Sequence, residues 1–565
     1  MKRITLFAVL ACFIYQARAQ HLLYVPDTLS GTAFNLTVHR DSVSFFPGTF
    51  TQTFGINSHK YLGPTLFLRK GDSVSITVNN QMGDTTSMHW HGLHVAPAND
   101  GGPFSMIMDG MSWSPKFIVR NNAATYWYHP HMMMKTAAQA IKGDAGLIII
   151  QDSAEQALML PRRYGIDDFP VIVQSVELDS LNQFMPRGMV DSIVLVNGTD
   201  SPLVNLPAQV VRLRLLNASG ERTFNFGFTA SKSFKVIGND GGLLPAPVTA
   251  TRVRLSPGER AEILVDLDGM AGQTIHLMSY ASELPMGVQG GPTMPMPPGS
   301  PLMNSPLNGI NFNILQINIG AQTAAPITTI PATLVPDTPY TESMANTTRT
   351  IHMTADSMMV MDGPFYFNHN LYDANRIDYH IPLNNIEIWT LMDSTMVAHP
   401  FHIHDVHFYI LDRNGNPPDA VERGRKDVLL IQPNETVRFI AKFDDFADTT
   451  LPYMYHCHIL MHEDDGMMGQ FVVGGERASV NNINSTEKGM MVFPNPASES
   501  ITISIEGAAS SGVSGIAVYD VMGRKVYAGT LENTITINTA QWVKGLYFVT
   551  AISSGHSIRK TFMVR

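Results

Sequence analysis

Short runs in which hydrophobic and polar residues alternate, or in which β-branched residues cluster, recur along the chain between Gly, Pro, Asn and Asp turn signals. Side chains two residues apart share one face of a strand, so this period of two predicts β-strands. No long segment with the helical period competes with these runs. The predicted strands are 43–46, 74–78, 116–119, 147–150, 171–173, 210–216, 261–265, 313–317, 348–353, 386–391, 406–411, 437–443 and 470–473.

Polar and Pro-rich stretches near positions 165, 325 and 485 divide these strands into groups. A chain of 565 residues is too long for a single core, so several domains are expected. The pattern predicts an all-β protein with three sandwich or Greek-key barrel domains and a smaller C-terminal unit. Their expected limits are 20–165, 166–325, 326–485 and 488–565.

Composition narrows the functional classes. The chain is rich in Gly (44) and Pro (35), which suits a turn-dense fold, and its net charge is −10. No run of Lys or Arg follows the N-terminal region, so the sequence carries no electrostatic footprint for nucleic acid.

The N-terminus has the features of a secretory signal. Two basic residues precede an apolar stretch at 4–15, and Ala17-Arg18-Ala19 forms an A-x-A cleavage site. We therefore expect a signal peptide at 1–19; a lipoprotein signal that uses Cys12 is the alternative. No other stretch approaches the length of a membrane helix, so no membrane span is expected.

Four short motifs concentrate the histidines and hold ten of the chain's twenty. Each contains a His-x-His pair, and alternation along a strand aims both imidazoles of a pair at one place. Neutral imidazole is a good copper ligand, so four such pairs predict a site for several copper ions. The motifs are HWHG at 89–92, YHPH at 128–131, HPFHIH at 399–404 and HCHILMHEDDGMM at 456–468.

The last motif also contains Cys457, the one cysteine left if Cys12 departs with the signal peptide. Alternation directs Cys457 to the opposite side from its neighbours His456 and His458, so a metal on the thiolate would be joined covalently to metals on the histidines. A His2Cys site with a weak axial methionine is the blue-copper arrangement. Its predicted members are His399, Cys457, His462 and Met467.

The four motifs, in this order and at the two ends of a three-domain β chain, resemble the multicopper oxidases over about residues 40–475. The resemblance implies cupredoxin-like domains, a shared copper site between the first and third domains, and a middle domain that supplies no ligands. It further implies one-electron oxidation of a substrate coupled to reduction of O2 to water. Its four coppers map onto His399, Cys457, His462 and Met467 (type 1), His89 and His402 (type 2), and His91, His129, His131, His404, His456 and His458 (the type 3 pair).

Two acidic residues are candidate catalytic groups. Asp100 follows HWHG in the segment NDGGP, and Glu463 comes directly after His462, where similar bacterial enzymes place acids near the cluster. We expect them to donate protons and to orient the ligands. The alternatives are a turn-forming aspartate before Gly101 and a solvated glutamate.

The final eighty or so residues resemble the C-terminal sorting domain of the type IX secretion system. The resemblance covers 488–565 and rests on the blocks VFPNPASESITI from Val492, VYDVMGRKVYAG from Val518 and GLYFVTAISSG from Gly545. It implies a small β-sandwich, contact with the type IX machinery, and a secreted or cell-surface protein, with the periplasm as the fallback. A generic β-sandwich stalk is the alternative.

The sequence leaves the electron donor open. The segment KTAAQAIKGDAG at 135–146 and the 33 methionines resemble bacterial copper-tolerance oxidases, which oxidise Cu(I) and often phenols. The methionine-rich segment 285–306 departs from that pattern because it lies in the middle domain. A laccase-like phenol oxidase is therefore the rival interpretation. Met358, Met359, Met361 and Asp362, with Met396 and Asp393, are a candidate outer Cu(I) site or simple packing.

The alternative from another class is a protein without oxidase turnover, which binds or sequesters copper or transfers electrons through it. All twelve ligand positions are filled, which argues against this alternative. Copper nitrite reductase is disfavoured because it does not need eight cluster histidines. His94 and His407 lie beside the motifs, and we expect them to pack or to form hydrogen bonds. We expect the three methionines at 132–134 to belong to the core.

Overall fold

The computed structural model describes residues 20–187, 190–293, 305–357, 360–474, 490–505, 513–520, 524–530, 534–553 and 556–565. The expected signal peptide and Cys12 lie outside these residues, as do Met294, Met296, Met303, Met358 and Met359, so the interpretations of those positions stay predictions. The chain forms two compact units, Met1–Gly475 and Glu476–Arg565.

The first part of the larger unit is a pair of sheets. One sheet has the order β4-β3-β6-β8, with β9 also on β6, and the other has the order β2-β5-β11-β10-β7. Leu36, Ile76 and Tyr126 belong to the fully buried core between them. The strands are β2 (Thr28–Ser30), β3 (Ala33–Val43), β4 (Thr51–Ile56), β5 (Thr65–Arg69), β6 (Ser73–Gln81), β7 (His89–His91), β8 (Ser112–Trp113), β9 (Lys116–Ile118), β10 (Ala124–His129) and β11 (Gly146–Gln151). The first strand of the chain, β1 (His21–Leu22), belongs to the second sheet pair.

A second sheet pair follows, with the orders β14-β13-β12-β16-β21-β18-β19 and β1-β15-β23-β22-β17-β20. Strands β12 and β16 are buried along their whole length, and the buried arginines of β16, Arg212 and Arg214, are paired with carboxylates. The strands are β12 (Asp168–Val176), β13 (Ile193–Val196), β14 (Thr199–Asp200), β15 (Pro202–Pro207), β16 (Val210–Asn217), β17 (Phe224–Phe228), β18 (Phe234–Asn239), β19 (Gly242–Ala250), β20 (Val253–Leu255), β21 (Arg260–Asp266), β22 (Thr274–Ser279) and β23 (Phe312–Gly320).

The third sheet pair completes the larger unit, with the orders β25-β24-β27-β31-β29 and β26-β33-β32-β28-β30. Its core includes Trp389, Phe401 and Cys457. The strands are β24 (Thr347–Ala355), β25 (Phe365–Phe367), β26 (Tyr379–Pro382), β27 (Asn385–Asp393), β28 (His399–Ile403), β29 (Phe408–Arg413), β30 (Val428–Ile431), β31 (Thr436–Phe443), β32 (Asp448–Cys457) and β33 (Met468–Gly474).

The smaller unit is also built from β-strands and has its own core, which includes Ile501, Ile503 and Val549. Its sheets have the orders β34-β35-β38 and β37-β36-β39-β40. The strands are β34 (Met490–Phe493), β35 (Ser500–Ile505), β36 (Val513–Asp520), β37 (Lys525–Gly529), β38 (Thr534–Asn538), β39 (Gly545–Ser553) and β40 (His556–Val564).

Helices are few and short, and the all-β prediction is confirmed. Across the described ranges, no helix is long and apolar enough to cross a membrane. The α-helices are α1 (Pro97–Asp100), α2 (Thr136–Ile141), α3 (Ser153–Gln156) and α4 (Leu460–Asp464), and the 3-10 turns are Thr229–Ser231, Ala281–Glu283, Glu342–Met344 and Ala420–Glu422.

One predicted strand is wrong in position. Strand β3 ends at Val43, and residues 44–46 leave the sheet. Phe45 instead packs edge-on against Tyr61, at 5.6 Å between ring centres, and against Phe184. Its hydrophobic side chain covers a separate cluster outside the sheet, so local hydrophobicity alone misplaced the strand.

Candidate metal centre

The four His-x-His pairs lie at the ends of neighbouring strands. His89 and His91 occupy β7, which pairs with β10 so that His89 lies opposite His129. In the third sheet pair, β28 and β32 set His402 opposite His456. Strand pairing therefore brings together histidines that are far apart in the sequence.

Six of the histidines form two sets of three. In the first, the Nε2 atom of His456 lies 3.2 Å from Nε2 of His131 and 3.3 Å from Nε2 of His404. In the second, Nδ1 of His91 lies 3.3 Å from Nε2 of His129 and 3.3 Å from Nε2 of His458. Each set has the donor spacing of a metal site. Both sets combine side chains from the first and third sheet pairs.

His89 and His402 complete the cluster. The Nδ1–H of His89 donates to the carbonyl of Asp100 at 2.9 Å, and the Nδ1–H of His402 donates to the carbonyl of Asp427 at 2.8 Å. Their Nε2 atoms are buried and have no hydrogen-bond partner among the residues that the structure describes. The Nε2 lone pairs of these two imidazoles are therefore available to bind a metal ion.

The protonation of these rings favours a bound cation. Burial lowers the pKa of His131 to about 4, although Glu463 acts against it, and lowers the pKa of His462 to about 3. Neutral rings with facing lone pairs repel one another at such distances unless a metal ion accepts them. The donor set therefore fits copper. Burial also holds the pKa well below its ordinary value for His91, His129, His399, His402, His404 and His458.

A separate donor set surrounds Cys457. Its Sγ lies 3.6 Å from Nδ1 of His399 and 3.5 Å from Nδ1 of His462. Burial raises the pKa of the Cys457 thiol well above its ordinary value, so a metal would have to displace the proton. Met467 is fully buried in the same core, and its carbonyl accepts a hydrogen bond from the Cys457 N–H at 3.0 Å.

The two predicted carboxylates both contact cluster histidines. Oδ2 of Asp100 accepts a hydrogen bond from Nδ1 of His404 at 2.7 Å. Oε1 of Glu463 lies 3.3 Å from Nδ1 of His131, and its Oε2 lies 3.1 Å from Nδ1 of His456. Burial raises the pKa of Glu463, but these two imidazoles outweigh burial and leave it well below its ordinary value. Neither side chain is solvated, so the surface alternative for Glu463 is excluded.

Sequence reasoning missed Asp427, which touches the cluster from a buried position just before β30. Its Oδ1 accepts a hydrogen bond from Nε2 of His91 at 3.1 Å, and Arg260 holds both of its oxygens. Burial raises the pKa of Asp427, but Arg260 outweighs burial and keeps it well below its ordinary value. No motif marks either residue, because strand β21 and the β30 segment meet only in the folded chain.

Of the remaining predictions for residues beside the motifs, one is confirmed and one is wrong. Nε2 of His94 lies 3.2 Å from Nδ1 of His407, so the expectation that these two residues pack or form hydrogen bonds is confirmed. The expectation that 132–134 is core is wrong, because Met134 is 75% exposed and the other two are only partly buried. Met134 has a positive φ of 63°, in a turn that directs its side chain outward.

Three regions of the chain match models of known protein families. A family model described as multicopper oxidase matches residues 37–155, and a second with the same description matches residues 337–477. A model of a secretion system C-terminal sorting domain matches residues 491–565.

Individual relatives cover most of the larger unit. The multicopper oxidase mco of Staphylococcus haemolyticus is 32% identical over 451 residues, which is 78% of this chain and 88% of that relative. The cell division protein FtsP of Escherichia coli is 34% identical over 468 residues, 81% of this chain and 93% of that one. A solved bacterial laccase-like multi-copper oxidase, CueO from Ochrobactrum sp., is 30% identical, with a TM-score of 0.70 over 80% of this chain and all of that one.

Proposed function

The chain belongs to the multicopper oxidase family, and on that premise we propose that it couples one-electron oxidation of a reducing substrate to four-electron reduction of O2 to water. The observation that carries the proposal is the donor arrangement. Eight buried histidines face one another in a single cluster, and Cys457, between His456 and His458, belongs to a second donor set. One tripeptide therefore joins a site suited to single electrons to a site suited to several metal ions.

We assign the residues to four copper ions by their geometry and by the family resemblance. Bound copper would exchange single electrons at the thiolate site and reduce O2 at the cluster. The assignment is His399, Cys457, His462 and Met467 for type 1, His89 and His402 for type 2, and His91, His129, His131, His404, His456 and His458 for the type 3 pair.

The chain's own groups orient the ligands and supply protons in this proposal. The Asp100 carboxylate accepts the Nδ1–H of His404, and its carbonyl accepts that of His89, so one residue fixes two rings with Nε2 free. Glu463 places its charge 3.3 Å from Nδ1 of His131 and 3.1 Å from Nδ1 of His456. The Nδ1–H of His456 donates its hydrogen bond to the carbonyl of Cys457 at 3.0 Å. Both carboxylates lie within contact of the cluster, where O2 reduction consumes protons, and we propose them as the proton donors. Glu463 is ionised at rest, because its pKa is held low, so it must take up a proton before it passes one on.

The donor substrate is Cu(I) or a phenol. Support for Cu(I) comes from the start of the methionine-rich segment, which packs beside the type 1 ligand His399. The carbonyl of Gly287 accepts a hydrogen bond from the N–H of Ala398 at 2.8 Å, and the side chain of Gln289 donates to the carbonyl of Ala398 at 2.9 Å. A segment of the middle domain thus reaches the electron-entry site, and thioethers bind Cu(I).

Copper binding without turnover is the second candidate function. The relative FtsP, which is named for cell division and not for oxidation, favours the absence of turnover, and the donor set of this chain supports copper binding. The complete donor set argues for turnover in this chain.

The first experiment measures copper per chain, the visible spectrum, and O2 uptake with Cu(I) and with a phenol. About four coppers, a blue thiolate-to-copper band and donor-dependent O2 uptake would support the oxidase and identify its donor. Blue protein that consumes no O2 with either donor would favour the binding function. Cys457→Ser is the matched control, because it should abolish the blue band and turnover while the eight cluster histidines remain.

Donor choice is tested by deletion of residues 285–306. Loss of Cu(I) oxidation with retained phenol oxidation would assign the segment to Cu(I) capture. Full-rate Cu(I) oxidation would remove it from the substrate site.

We also propose that the sorting domain directs the protein to the cell surface or the medium through the type IX route, after a signal peptide at 1–19 has exported it. The domain model matched at 491–565 supports this route. Removing that domain should leave the protein in the periplasm, which fractionation of the cells would reveal.

A further inference from the structure

Asp427 contacts two of the proposed copper ligands at once. Its carboxylate Oδ1 accepts a hydrogen bond from Nε2 of His91 at 3.1 Å, while its backbone carbonyl accepts one from Nδ1 of His402 at 2.8 Å. The residue is fully buried. It therefore acts on one ligand of the type 2 site and one ligand of the type 3 pair through two different groups.

The contact with His91 decides which nitrogen faces the metal. In His89, His402 and His404 an Nδ1–H donates to an oxygen, which leaves Nε2 for a metal. His91 is the reverse, because its Nε2–H donates to Asp427 and its Nδ1 faces His129 and His458. An imidazole can present only one lone pair when the other nitrogen carries its proton, so Asp427 selects the tautomer that this site needs.

Arg260 in turn fixes Asp427. Its two terminal nitrogens each donate to one Asp427 oxygen at 2.6 Å, a bidentate pair. Its remaining three N–H groups donate to the carbonyls of Thr125, Gly258 and Asp240 at 3.0 to 3.2 Å. All five donors of the guanidinium are therefore used, and the side chain has a single orientation.

The ion pair of Arg260 and Asp427 is closely packed on both sides. A Cβ on Gly92, which follows directly after His91, would lie 2.4 Å from Oδ2 of Asp427 and 2.9 Å from the guanidinium. On the other side, Oδ1 of Asp240 accepts the backbone N–H of Arg260 at 2.7 Å, and Lys426 bridges Asp240 and Glu259. The glycine of HWHG therefore leaves the space that the ion pair fills.

We propose that Arg260, from the middle sheet pair that supplies no copper ligand, is a positioning residue that sets copper binding at the type 2 site and at the His91 half of the type 3 pair. The proposal rests on the proposed function only in taking the bound ion to be copper. It gives the middle domain a role at the cluster through the path Arg260, Asp427, and then His91 and His402.

The test compares Arg260→Lys with Arg212→Lys. Both arginines are fully buried in strands of the same sheet and are paired with carboxylates, but Arg212 bonds Glu155 and Glu262 and not Asp427. Lysine keeps the positive charge and loses the bidentate geometry. The readouts are a copper titration against a competing chelator, the electron paramagnetic resonance signal of type 2 copper, and the blue band as an internal measure of folding at the type 1 site.

We expect Arg260→Lys to keep the blue band and to bind the copper that gives the type 2 signal about 10- to 100-fold more weakly, as loss of a partner that orients a ligand does elsewhere. Arg212→Lys should leave that affinity unchanged. Unchanged type 2 affinity and signal in Arg260→Lys would overturn the proposal. Equal losses in the two variants would also overturn it, because the effect would then be that of any buried arginine.

Asp427→Asn is the second variant, and it tests whether the Asp427 carboxylate controls copper binding if Arg260→Lys does not fold. It changes the side chain and keeps the backbone carbonyl that holds His402. The expected result is a weakened type 3 pair with a retained type 2 signal, and a fully loaded type 3 pair would overturn the proposal. Wild-type protein that holds copper but consumes no O2 would refute the oxidase proposal alone, since neither variant is judged by turnover.

Discussion

At the scale of single residues, oxygen atoms that accept a hydrogen bond from the far nitrogen orient several of the cluster imidazoles. Asp100 illustrates this, because Asp100→Asn keeps the backbone carbonyl that holds His89 and removes only the charge that holds His404. We expect O2 uptake to fall about 10- to 100-fold with either donor substrate. The blue band should persist, because the contacts of Asp100 are with the cluster histidines and not with the Cys457 set. Steady-state O2 uptake and the visible spectrum measure both effects.

Asp109→Asn is the matched control for that substitution, since Asp109 follows on the same loop and is exposed. It should have the turnover of the wild-type protein. Asp100→Asn with full turnover would remove Asp100 from the mechanism, whatever its hydrogen bonds.

The buried carboxyl group of Asp144, which is not a proposed metal ligand, should make the free energy of unfolding depend on pH. Burial raises its pKa to about 8, against which a hydrogen bond from Thr86 acts only weakly, and its Oδ1 lacks a hydrogen-bond partner within the described residues. The unfolded chain loses this proton near pH ~4. Between pH ~4 and about 8 the folded protein holds a proton that the unfolded chain has lost, so its free energy of unfolding falls as pH rises.

Asp144→Asn should abolish this contribution. The melting temperature of Asp144→Asn minus that of the wild type should rise as pH increases through that interval. Above about pH 8 this difference should stay constant, because Asp144 of the wild type is then ionised in both the folded and the unfolded chain. Thermal unfolding of both proteins without copper, across this range, measures the difference. Asp419→Asn, at an exposed side chain, is the control and should show no such trend. A constant difference at every pH would contradict the prediction.

At the scale of elements, helix α4 links the Cys457 donor set to the first sheet pair. It carries His462 and Glu463, and the carboxylate of Asp464 accepts the N–H groups of Thr136 and Ala137 at 3.0 Å, at the start of α2. Asp464→Ala should lower the free energy of unfolding by about 1–2 kcal/mol, because those two N–H groups lose their cap. Denaturant unfolding, monitored together with the blue band, would measure it.

The neighbouring Asp465→Ala is the control. Asp465 pairs with Arg187, which is 63% exposed, so its loss should cost only ~0–1 kcal/mol. Equal costs for the two substitutions would show that the cap does not hold α4 in place.

The sequence predicted most strands and the histidine pairs because both depend on a period of two, which the chain displays locally. His89 and His91 could be assigned to one face in this way. The nitrogen that each presents could not be predicted, because it depends on oxygens supplied by Asp100 and Asp427 from other segments. Arg260 was missed for the same reason: it lies in a different sheet pair, and its partner follows 167 residues later.

At the scale of the whole molecule, one strand arrangement occurs three times in the larger unit. The parallel pairs β3 with β6, β12 with β16, and β24 with β27 hold corresponding places in the three sheet pairs. The first and third copies supply the proposed ligands. The middle copy has fully buried strands, whose arginines form ion pairs with carboxylates, and Arg260 extends that network to the cluster.

The division into two units leads to the last prediction. All twelve proposed ligands belong to the unit Met1–Gly475, and Glu476–Arg565 has a hydrophobic core of its own. A chain that ends at Gly475 should therefore fold, bind the same copper per chain and consume O2 at the rate of the full-length protein. Copper analysis, the blue band and O2 uptake on both proteins measure this. Loss of copper or of the blue band on truncation would mean that the sorting domain contributes to the oxidase, and the separation of export from chemistry would fail.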